Sequence, residues 1–145
     1  MSLEAKISGL MKGKVHKIHH ESTVSEAAAV LLAKNIGSLV VTGTDGPVGL
    51  ITATDILRKV TVARADPAEV RVKDVMSSPL ISVSAETSVG EAAKQMIGMK
   101  IKRLGVTNDR GGLAGIVTMT DIVGYVAKQE RLSDSLMRYL MYEVV

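Results

Sequence analysis

The strongest constraint on the fold of this chain is an internal repeat that spans most of its 145 residues. At an offset of 65, residues 7–42 align on residues 72–107 without a gap. One residue is inserted in the turn that follows, and residues 46–60 then match residues 112–126 at an offset of 66. A period of this kind indicates two copies of one supersecondary unit, followed by a tail. We define repeat one as residues 7–60, repeat two as residues 72–127 and the tail as residues 128–145.

The local signals in each repeat occur in the same order and predict a β-α-β-β-α unit. A short apolar strand precedes a capping motif, Thr23-x-x-Glu26 or Ser88-x-x-Glu91, which predicts the start of a helix. Two further apolar strands, joined by a Gly-containing turn, predict a hairpin, and the second of them leads into a second helix. The predicted strands and first helices are Val15–Ile18, Val24–Asn35 and Leu39–Thr42 in repeat one, and Leu80–Val83, Val89–Lys100 and Leu104–Thr107 in repeat two.

These elements predict a mixed α/β (α+β) fold in which helices cover one face of each sheet. A unit of about 55 residues buries too little apolar surface to be stable alone, so the two units are expected to pack together. Apolar residues make up 46% of the chain, which supplies an aliphatic core without Phe or Trp.

Each repeat ends its last strand with the same junction, Gly-apolar-apolar-Thr-x-x-Asp. The two copies are Gly49 to Asp55 and Gly115 to Asp121. The Thr-x-x-Asp spacing fits a capping box, so one interpretation is a helix start and nothing more. The other is a ligand site, because a hydroxyl, a carboxylate and free backbone N–H groups meet beside a strand end. Two copies in matching context favour the ligand site.

Composition and charge exclude several classes of protein. The chain has no Cys, so neither a disulfide framework nor a Cys-based metal site is expected, and a cytoplasmic location is consistent with this. No apolar run approaches the roughly 18 residues of a membrane span, and no signal peptide is evident. The net charge is +3, but the basic residues are scattered and aromatic residues are nearly absent, which argues against a nucleic-acid partner.

No catalytic or metal centre is predicted. His16, His19 and His20 cluster in sequence, but neither Cys nor a regular helical spacing accompanies them. No Ser/His/Asp or Cys/His arrangement is apparent, and the carboxylates of Asp55 and Asp121 have no general-acid partner in the sequence. We therefore expect a protein that is not an enzyme.

The tandem unit and its closing motif resemble the cystathionine-β-synthase (CBS) domain, paired as a Bateman module. Val72-Lys73-Asp74-Val75-Met76 resembles the usual opening of a CBS unit, and Lys102-Arg103-Leu104-Gly105-Val106 resembles the strand before its turn. The resemblance implies two CBS units with pseudo-two-fold symmetry. It also implies that adenosine-containing ligands (AMP, ADP, ATP or S-adenosylmethionine) bind in clefts between the units, and that two modules form a disc-like homodimer.

The resemblance implies a favoured cleft in which Asp121 accepts hydrogen bonds from ribose hydroxyls. A carboxylate suits a vicinal diol because it offers two acceptor oxygens and no donor. Lys102 and Arg103 occupy the position that faces phosphate, where Arg binds bidentately and Lys acts as a point charge. The complete set for this cleft is Met11, His16, Ile36 and Gly37 toward the base, with Lys102, Arg103, Thr118, Thr120 and Asp121.

A second, mirror-related cleft is implied around Asp55. It has Gly37 and Ser38 where the first has Lys102 and Arg103, so it is expected either to be empty or to hold a less charged adenosine compound. The residues assigned to this cleft are Ser38, Thr52, Thr54, Asp55, Met76, Ile81 and Ile101.

Two functions from different classes remain open. The first is a regulatory module that senses an adenosine-containing ligand and transmits a conformational change to a partner protein or within an oligomer, with no obligatory cofactor. The alternative is a structural dimerisation module with vestigial clefts.

The tail carries an apolar stripe that favours core or dimer packing. Together with the dimers that the resemblance implies, this stripe predicts a homodimer. The stripe comprises Leu132, Leu136, Met137, Leu140 and Met141.

Overall fold

The computed structural model describes residues 3–129 and contains six strands and four α-helices in this range. In repeat one these are β1 (Lys17–His19), α1 (Val24–Lys34), β2 (Ser38–Gly43), β3 (Gly46–Thr52) and α2 (Ala53–Ile56). In repeat two they are β4 (Ser82–Ser84), α3 (Val89–Met99), β5 (Arg103–Thr107), β6 (Leu113–Thr118) and α4 (Met119–Gln129). The predicted order of elements is confirmed in both repeats. The apolar stripe of the tail lies outside the described residues.

Each repeat forms its own three-stranded sheet. The first strand pairs in parallel with the second, and the second pairs antiparallel with the third, in the orders β1-β2-β3 and β4-β5-β6. The antiparallel pairs are the predicted hairpins. Their register places Ser38 opposite Thr52 and Arg103 opposite Thr118, so each hairpin ends beside the start of the following helix.

The helix boundaries follow from local chemistry. The hydroxyl of Thr23 accepts a hydrogen bond from the N–H of Glu26 at 3.1 Å, and Ser88 caps α3 in the same way. Both helices end one residue earlier than predicted, because Asn35 and Lys100 adopt the left-handed conformation at the C-terminus. The helix after β3 differs from α4: after α2, residues Leu57–Thr61 continue as a π-helical turn.

The described residues divide into two compact units whose limits differ from those of the repeats. The repeat-one unit consists of residues 15–81, and the repeat-two unit consists of residues 3–14 together with residues 82–129. Each repeat is therefore completed by the segment that opens the other one. We call residues 3–14 the N-terminal segment and residues 67–77 the linker segment.

Backbone hydrogen bonds attach these segments to their units. The N–H of Val89, at the start of α3, donates to Ala5 at 2.8 Å, and the N–H of Ile7 donates to Thr87 at 2.7 Å. In the repeat-one unit the corresponding bond runs from the N–H of Val24 to Val70 at 2.9 Å. The segments thus bind backbone donors that the first turn of a helix leaves unpaired.

Apolar burial fixes each segment to its unit as well. Ile7 of the N-terminal segment and Val72 of the linker segment are both fully buried. Val72 joins a core shared by helix, sheet and linker segment. That core comprises Val24, Ala27, Leu31, Leu39, Val41, Ile51, Val60, Val72 and Val75. The helices cover one face of the sheet, as the apolar spacing predicts.

Candidate functional site

The two Thr-x-x-Asp junctions are reciprocal capping boxes. In the repeat-two unit the N–H of Thr118 donates to Oδ2 of Asp121 at 2.9 Å, and the N–H of Asp121 donates to Oγ1 of Thr118 at 3.1 Å. Thr52 and Asp55 repeat the arrangement at 3.0 and 3.1 Å. The capping interpretation of the motif is therefore correct. Oδ2 of each Asp makes the capping bond, and no described residue donates a hydrogen bond to Oδ1 of Asp121 or of Asp55.

The two carboxylates differ in their access to solvent. Asp55 is 6% exposed, whereas Asp121 is half-buried and lines a cavity of about 520 Å³. The same chemical motif is thus closed over in the repeat-one unit and open in the repeat-two unit. This difference favours Asp121 as the carboxylate that meets a ligand.

Two close backbone approaches place a methionine beside each junction. Residues Lys12 and Ile116 exchange backbone hydrogen bonds of 2.9 and 3.1 Å, which brings the N-terminal segment onto β6. A Cβ atom at Gly115 would lie 2.7 Å from the carbonyl oxygen of Lys12 and 2.8 Å from Sδ of Met11. Only glycine permits this approach, which is the physical reason for the Gly that opens the motif.

The same arrangement occurs in the repeat-one unit. The N–H of Leu50 donates to Ser77 at 2.9 Å, and a Cβ atom at Gly49 would lie 2.5 Å from the carbonyl oxygen of Ser77. Met76 is the side chain beside Gly49 there. The structure therefore brings each methionine to the junction with which the resemblance groups it.

The cationic pair predicted to face phosphate lies at the start of α4. The N–H of Met119 donates to the carbonyl of Lys102 at 2.8 Å, and Arg103 lies opposite Thr118 in the hairpin. In the repeat-one unit the N–H of Ala53 donates to Gly37 at 3.2 Å. Gly37 and Ser38 thus hold the positions that Lys102 and Arg103 hold in the other unit. The two pairs are equivalent in the structure, as they are in the sequence alignment of the repeats.

The predicted residues divide between the two units. Of the favoured set, six lie in the repeat-two unit, namely Met11, Lys102, Arg103, Thr118, Thr120 and Asp121. The remaining three, His16, Ile36 and Gly37, belong to the repeat-one unit. Of the second set, Ser38, Thr52, Thr54, Asp55, Met76 and Ile81 lie in the repeat-one unit and Ile101 lies in the repeat-two unit.

The cavity at Asp121 is lined by several residues that the sequence analysis did not predict as site residues. One wall is the N-terminal segment from Ala5 to Leu10, and the other is α4 from Thr120 to Lys128. Gly124 and Tyr125 lie between Asp121 and Lys128 on this second wall. Gly124, Tyr125 and Lys128 follow Asp121 by three, four and seven residues, which puts them on the same helix face as Asp121. This spacing could have been seen in the sequence.

Exposed ion pairs occur in both units, and one of them involves Lys6, which lines the cavity. Lys6 lies 2.5 Å from Oε2 of Glu86, and the hydrogen bond and charge of that carboxylate raise the pKa of Lys6 above its ordinary value. In the repeat-one unit, Lys73 lies 2.6 Å from Oε1 of Glu21 and lowers the pKa of Glu21 by its hydrogen bond. Both pairs are exposed, so each contributes little to stability.

The histidine cluster has a local structural role in part. Nδ1 of His19 accepts a hydrogen bond from the N–H of Glu21 at 3.2 Å, and the rings of His19 and His20 lie 4.6 Å apart. Across residues 3–129, no group of three or more His, Cys, Asp or Glu side chains is placed to hold a metal ion. In the same range, no helix has both the length and the apolar character that a membrane span requires.

Comparison with known proteins identifies the family. Residues 7–62 and 72–128 each match the CBS domain. The chain belongs to the CBS-domain family. CBS-domain pairs are regulatory modules and are typically non-catalytic.

Similar proteins include one curated relative and two solved structures. An uncharacterized protein of Methanopyrus kandleri is 41% identical over 102 residues, which cover 70% of this chain and 52% of that protein. The chain thus spans about half the length of this relative. An uncharacterized conserved protein from Pyrococcus horikoshii superposes with a TM-score of 0.79 and is 30% identical, covering 87% of this chain and 95% of that one.

A neighbour with a bound nucleotide is also similar. A CBS domain protein from Pyrobaculum aerophilum, solved in complex with AMP, superposes with a TM-score of 0.74 at 27% identity. The similarity covers 86% of this chain and 99% of that protein.

Proposed function

We propose that this CBS-domain chain is a regulatory module that binds an adenosine-containing ligand at Asp121. The observation that carries the proposal is the state of this carboxylate. It caps α4 through Oδ2, lines a cavity of about 520 Å³, and receives no hydrogen bond at Oδ1 from the described residues. A vicinal diol has two hydroxyl donors, and such a carboxylate can accept a hydrogen bond from each of them.

The charge around α4 supports a ligand that also carries phosphate. Asp121 by itself repels an anion, so a nucleotide needs cations nearby. Lys102 is exposed at the start of α4, and Arg103 lies opposite Thr118. The helix N-terminus adds a favourable dipole for the same charge. The AMP complex of the Pyrobaculum aerophilum neighbour supports this ligand class.

The connection of the N-terminal segment supports a regulatory output. Met11 lies against Gly115 in the repeat-two unit, and four residues later the chain enters the repeat-one unit at Val15. A ligand that stabilises the docked N-terminal segment therefore acts on an element that is covalently continuous with the other unit. We propose that a partner protein or a second copy of the chain responds to this change, and that the chain forms a homodimer in the cytoplasm.

Thermal-shift measurements with AMP, ADP, ATP, S-adenosylmethionine and NAD test the proposal. A ligand present at a hundred times its dissociation constant stabilises the folded state by about 2.7 kcal/mol, which is easily measured as a rise in melting temperature. We expect at least one adenosine-containing compound to produce such a rise, and calorimetry to give its affinity. If all five leave the melting temperature unchanged at millimolar concentration, the structural dimerisation module becomes the better explanation.

A further inference from the structure

A methionine thioether contacts a buried glycine in each unit. In the repeat-two unit, a Cβ atom at Gly115 would lie 2.8 Å from Sδ and 3.1 Å from Cγ of Met11, so the thioether occupies the space of a side chain at this position. In the repeat-one unit, a Cβ atom at Gly49 would lie 3.1 Å from Sδ of Met76. Both glycines are buried, and both methionines are half-buried.

The residue after each methionine pairs with the last strand of the sheet. Lys12 exchanges backbone hydrogen bonds of 2.9 and 3.1 Å with Ile116 in β6. Ser77 exchanges backbone hydrogen bonds of 2.9 and 2.8 Å with Leu50 in β3. The contacts between thioether and glycine therefore lie where the N-terminal segment and the linker segment meet their sheets.

These contacts depend on the apolar character of the thioether. Methionine fills irregular space because its side chain is unbranched, flexible and polarizable. A peroxide oxidises the sulfur by two electrons. The sulfur attacks one oxygen, the O–O bond breaks, and the proton of the transferred hydroxyl passes to the departing hydroxide, which leaves as water. The resulting sulfoxide is polar and has an additional oxygen atom, and methionine sulfoxide reductases restore the thioether.

A sulfoxide at Met11 would bring its oxygen toward the buried backbone at Gly115. Burial of a polar group without a hydrogen-bond partner is unfavourable, so the oxidised side chain is expected to leave the glycine. Because Met11 directly precedes Lys12, this movement would strain the two hydrogen bonds with Ile116. Oxidation of Met76 would act in the same way on the linker segment.

Exposure distinguishes these two methionines from two others in α3. Met96 is fully buried, so a peroxide in solution does not reach its sulfur. Met99 is 47% exposed, and its Sδ accepts a hydrogen bond from Nε2 of Gln95 at 3.9 Å in the same helix. Oxidation of Met99 thus changes a contact within one helix and leaves the pairing of segments with strands intact.

We propose that Met11 and Met76 are sites of reversible oxidation by peroxides, and that their sulfoxides loosen the N-terminal segment from β6 and the linker segment from β3. The inference does not depend on any ligand, because it concerns the thioethers, the two glycines and the backbone bonds beside them. It gives a chain without Cys a response to oxidants.

The test treats the full chain with hydrogen peroxide and then with methionine sulfoxide reductases. Peptide mass spectrometry identifies each sulfoxide, and hydrogen exchange reports on the amides of Lys12 and Ile116. Met11→Gln imitates the sulfoxide with a polar side chain of similar length, and Met99→Gln is its matched control. Met11→Leu keeps an apolar side chain of similar volume that peroxide does not oxidise.

We expect oxidation at Met99 first, then at Met11 and Met76, with Met96 remaining a thioether. Loss of the Met99 thioether alone should leave the melting temperature nearly unchanged. The melting temperature should fall once the two half-buried methionines are oxidised, and the reductases should restore it. A chain with Met99 fully oxidised and both half-buried thioethers intact would overturn the inference.

Hydrogen exchange locates the effect on the N-terminal segment. Exchange at Lys12 and Ile116 should become at least about tenfold faster in the oxidised chain and in Met11→Gln, because local opening exposes these amides. It should remain within about twofold in Met99→Gln, and in Met11→Leu after peroxide. Complete oxidation of Met11 without faster exchange at the two amides would overturn the inference. The oxidised unsubstituted chain decides the matter even if Met11→Gln does not fold.

Discussion

Substitution of the two capping-box carboxylates, Asp55 and Asp121, is expected to affect stability and ligand binding differently. One substitution should lower stability more, and the other should lower ligand affinity more. Asp121→Ala and Asp55→Ala remove equivalent hydrogen bonds, since each Oδ2 accepts the N–H of its capping Thr at 2.9 and 3.0 Å. The two sites differ in burial, because Asp55 is 6% exposed and Asp121 is half-buried beside a cavity. Each variant is thus the control for the other.

The expected magnitudes follow from these contacts. Each variant keeps its capping Thr and loses the reciprocal half of the capping box, which costs about 1 kcal/mol. Asp55→Ala also removes a side chain that is only 6% exposed and leaves the N–H of half-buried Thr52 without its partner, which adds roughly 1–3 kcal/mol, so this variant is the less stable one. Asp121→Ala additionally loses the hydrogen bonds to ribose, worth roughly 1.5–3 kcal/mol for a charged acceptor, which corresponds to a ten- to hundredfold loss of affinity.

Two measurements on each variant decide the matter. Thermal unfolding without ligand gives the change in stability, and calorimetry with adenosine and AMP gives the change in affinity. We expect Asp55→Ala to have the lower melting temperature and nearly unchanged affinity, and Asp121→Ala to show the reverse. Unchanged affinity in Asp121→Ala together with a large fall in its melting temperature would show that Asp121 is a structural residue only.

Three further predictions concern charge, backbone approach and assembly. Replacing Lys102 by Gly and Arg103 by Ser should weaken the binding of ATP most, of AMP less and of adenosine least. Added salt should reproduce this order with the unsubstituted chain. Equal losses of affinity for all three ligands, measured by calorimetry, would contradict the prediction. Gly115→Ala should destabilise the chain by roughly 1–3 kcal/mol, because its Cβ would lie 2.7 Å from the carbonyl oxygen of Lys12. The control Gly98→Ala should not destabilise it, because a Cβ atom at Gly98 meets no atom within 4 Å. Faster hydrogen exchange at the amide of Lys12 would locate the effect, and equal melting temperatures of the two variants would argue against it. Sedimentation equilibrium at micromolar concentration should give twice the chain mass of 15.4 kDa, and a monomer would count against the homodimer.

Local chemistry made much of the fold predictable from the sequence. The order β-α-β-β-α, the hairpins and the helix starts depend on residues within a few positions of one another, such as Thr23 and Glu26 or Thr118 and Asp121. The repeat supplied a second copy of every signal, so each assignment was made twice. The errors lie at element ends. The strands β1 and β4 begin two residues later than predicted, and Asn35 and Lys100 leave the helix through a left-handed conformation that their residue types only weakly indicate.

The assignment of chain segments to units required the tertiary structure. Nothing local indicates that Ile7 becomes fully buried in the unit of β4–β6, or that the carbonyl of Ala5 accepts the N–H of Val89. Such contacts join residues more than eighty positions apart, and their energy comes from burial and from unpaired helix donors, which many segments could satisfy equally well.

The candidate site shows the same division. The sequence by itself determined its chemistry, because Thr-x-x-Asp and Lys102-Arg103 specify a cap, a carboxylate and two cations wherever they fold. Only the tertiary structure decided that Asp55 is closed over while Asp121 faces a cavity. Access depends on how the N-terminal and linker segments pack against each helix. In the repeat-one unit, Nζ of Lys59 donates to the carbonyl of Val75 in the linker segment at 2.9 Å, whereas in the other unit the N-terminal segment and α4 line a cavity. That is a property of packing between distant segments, and no window of sequence contains it.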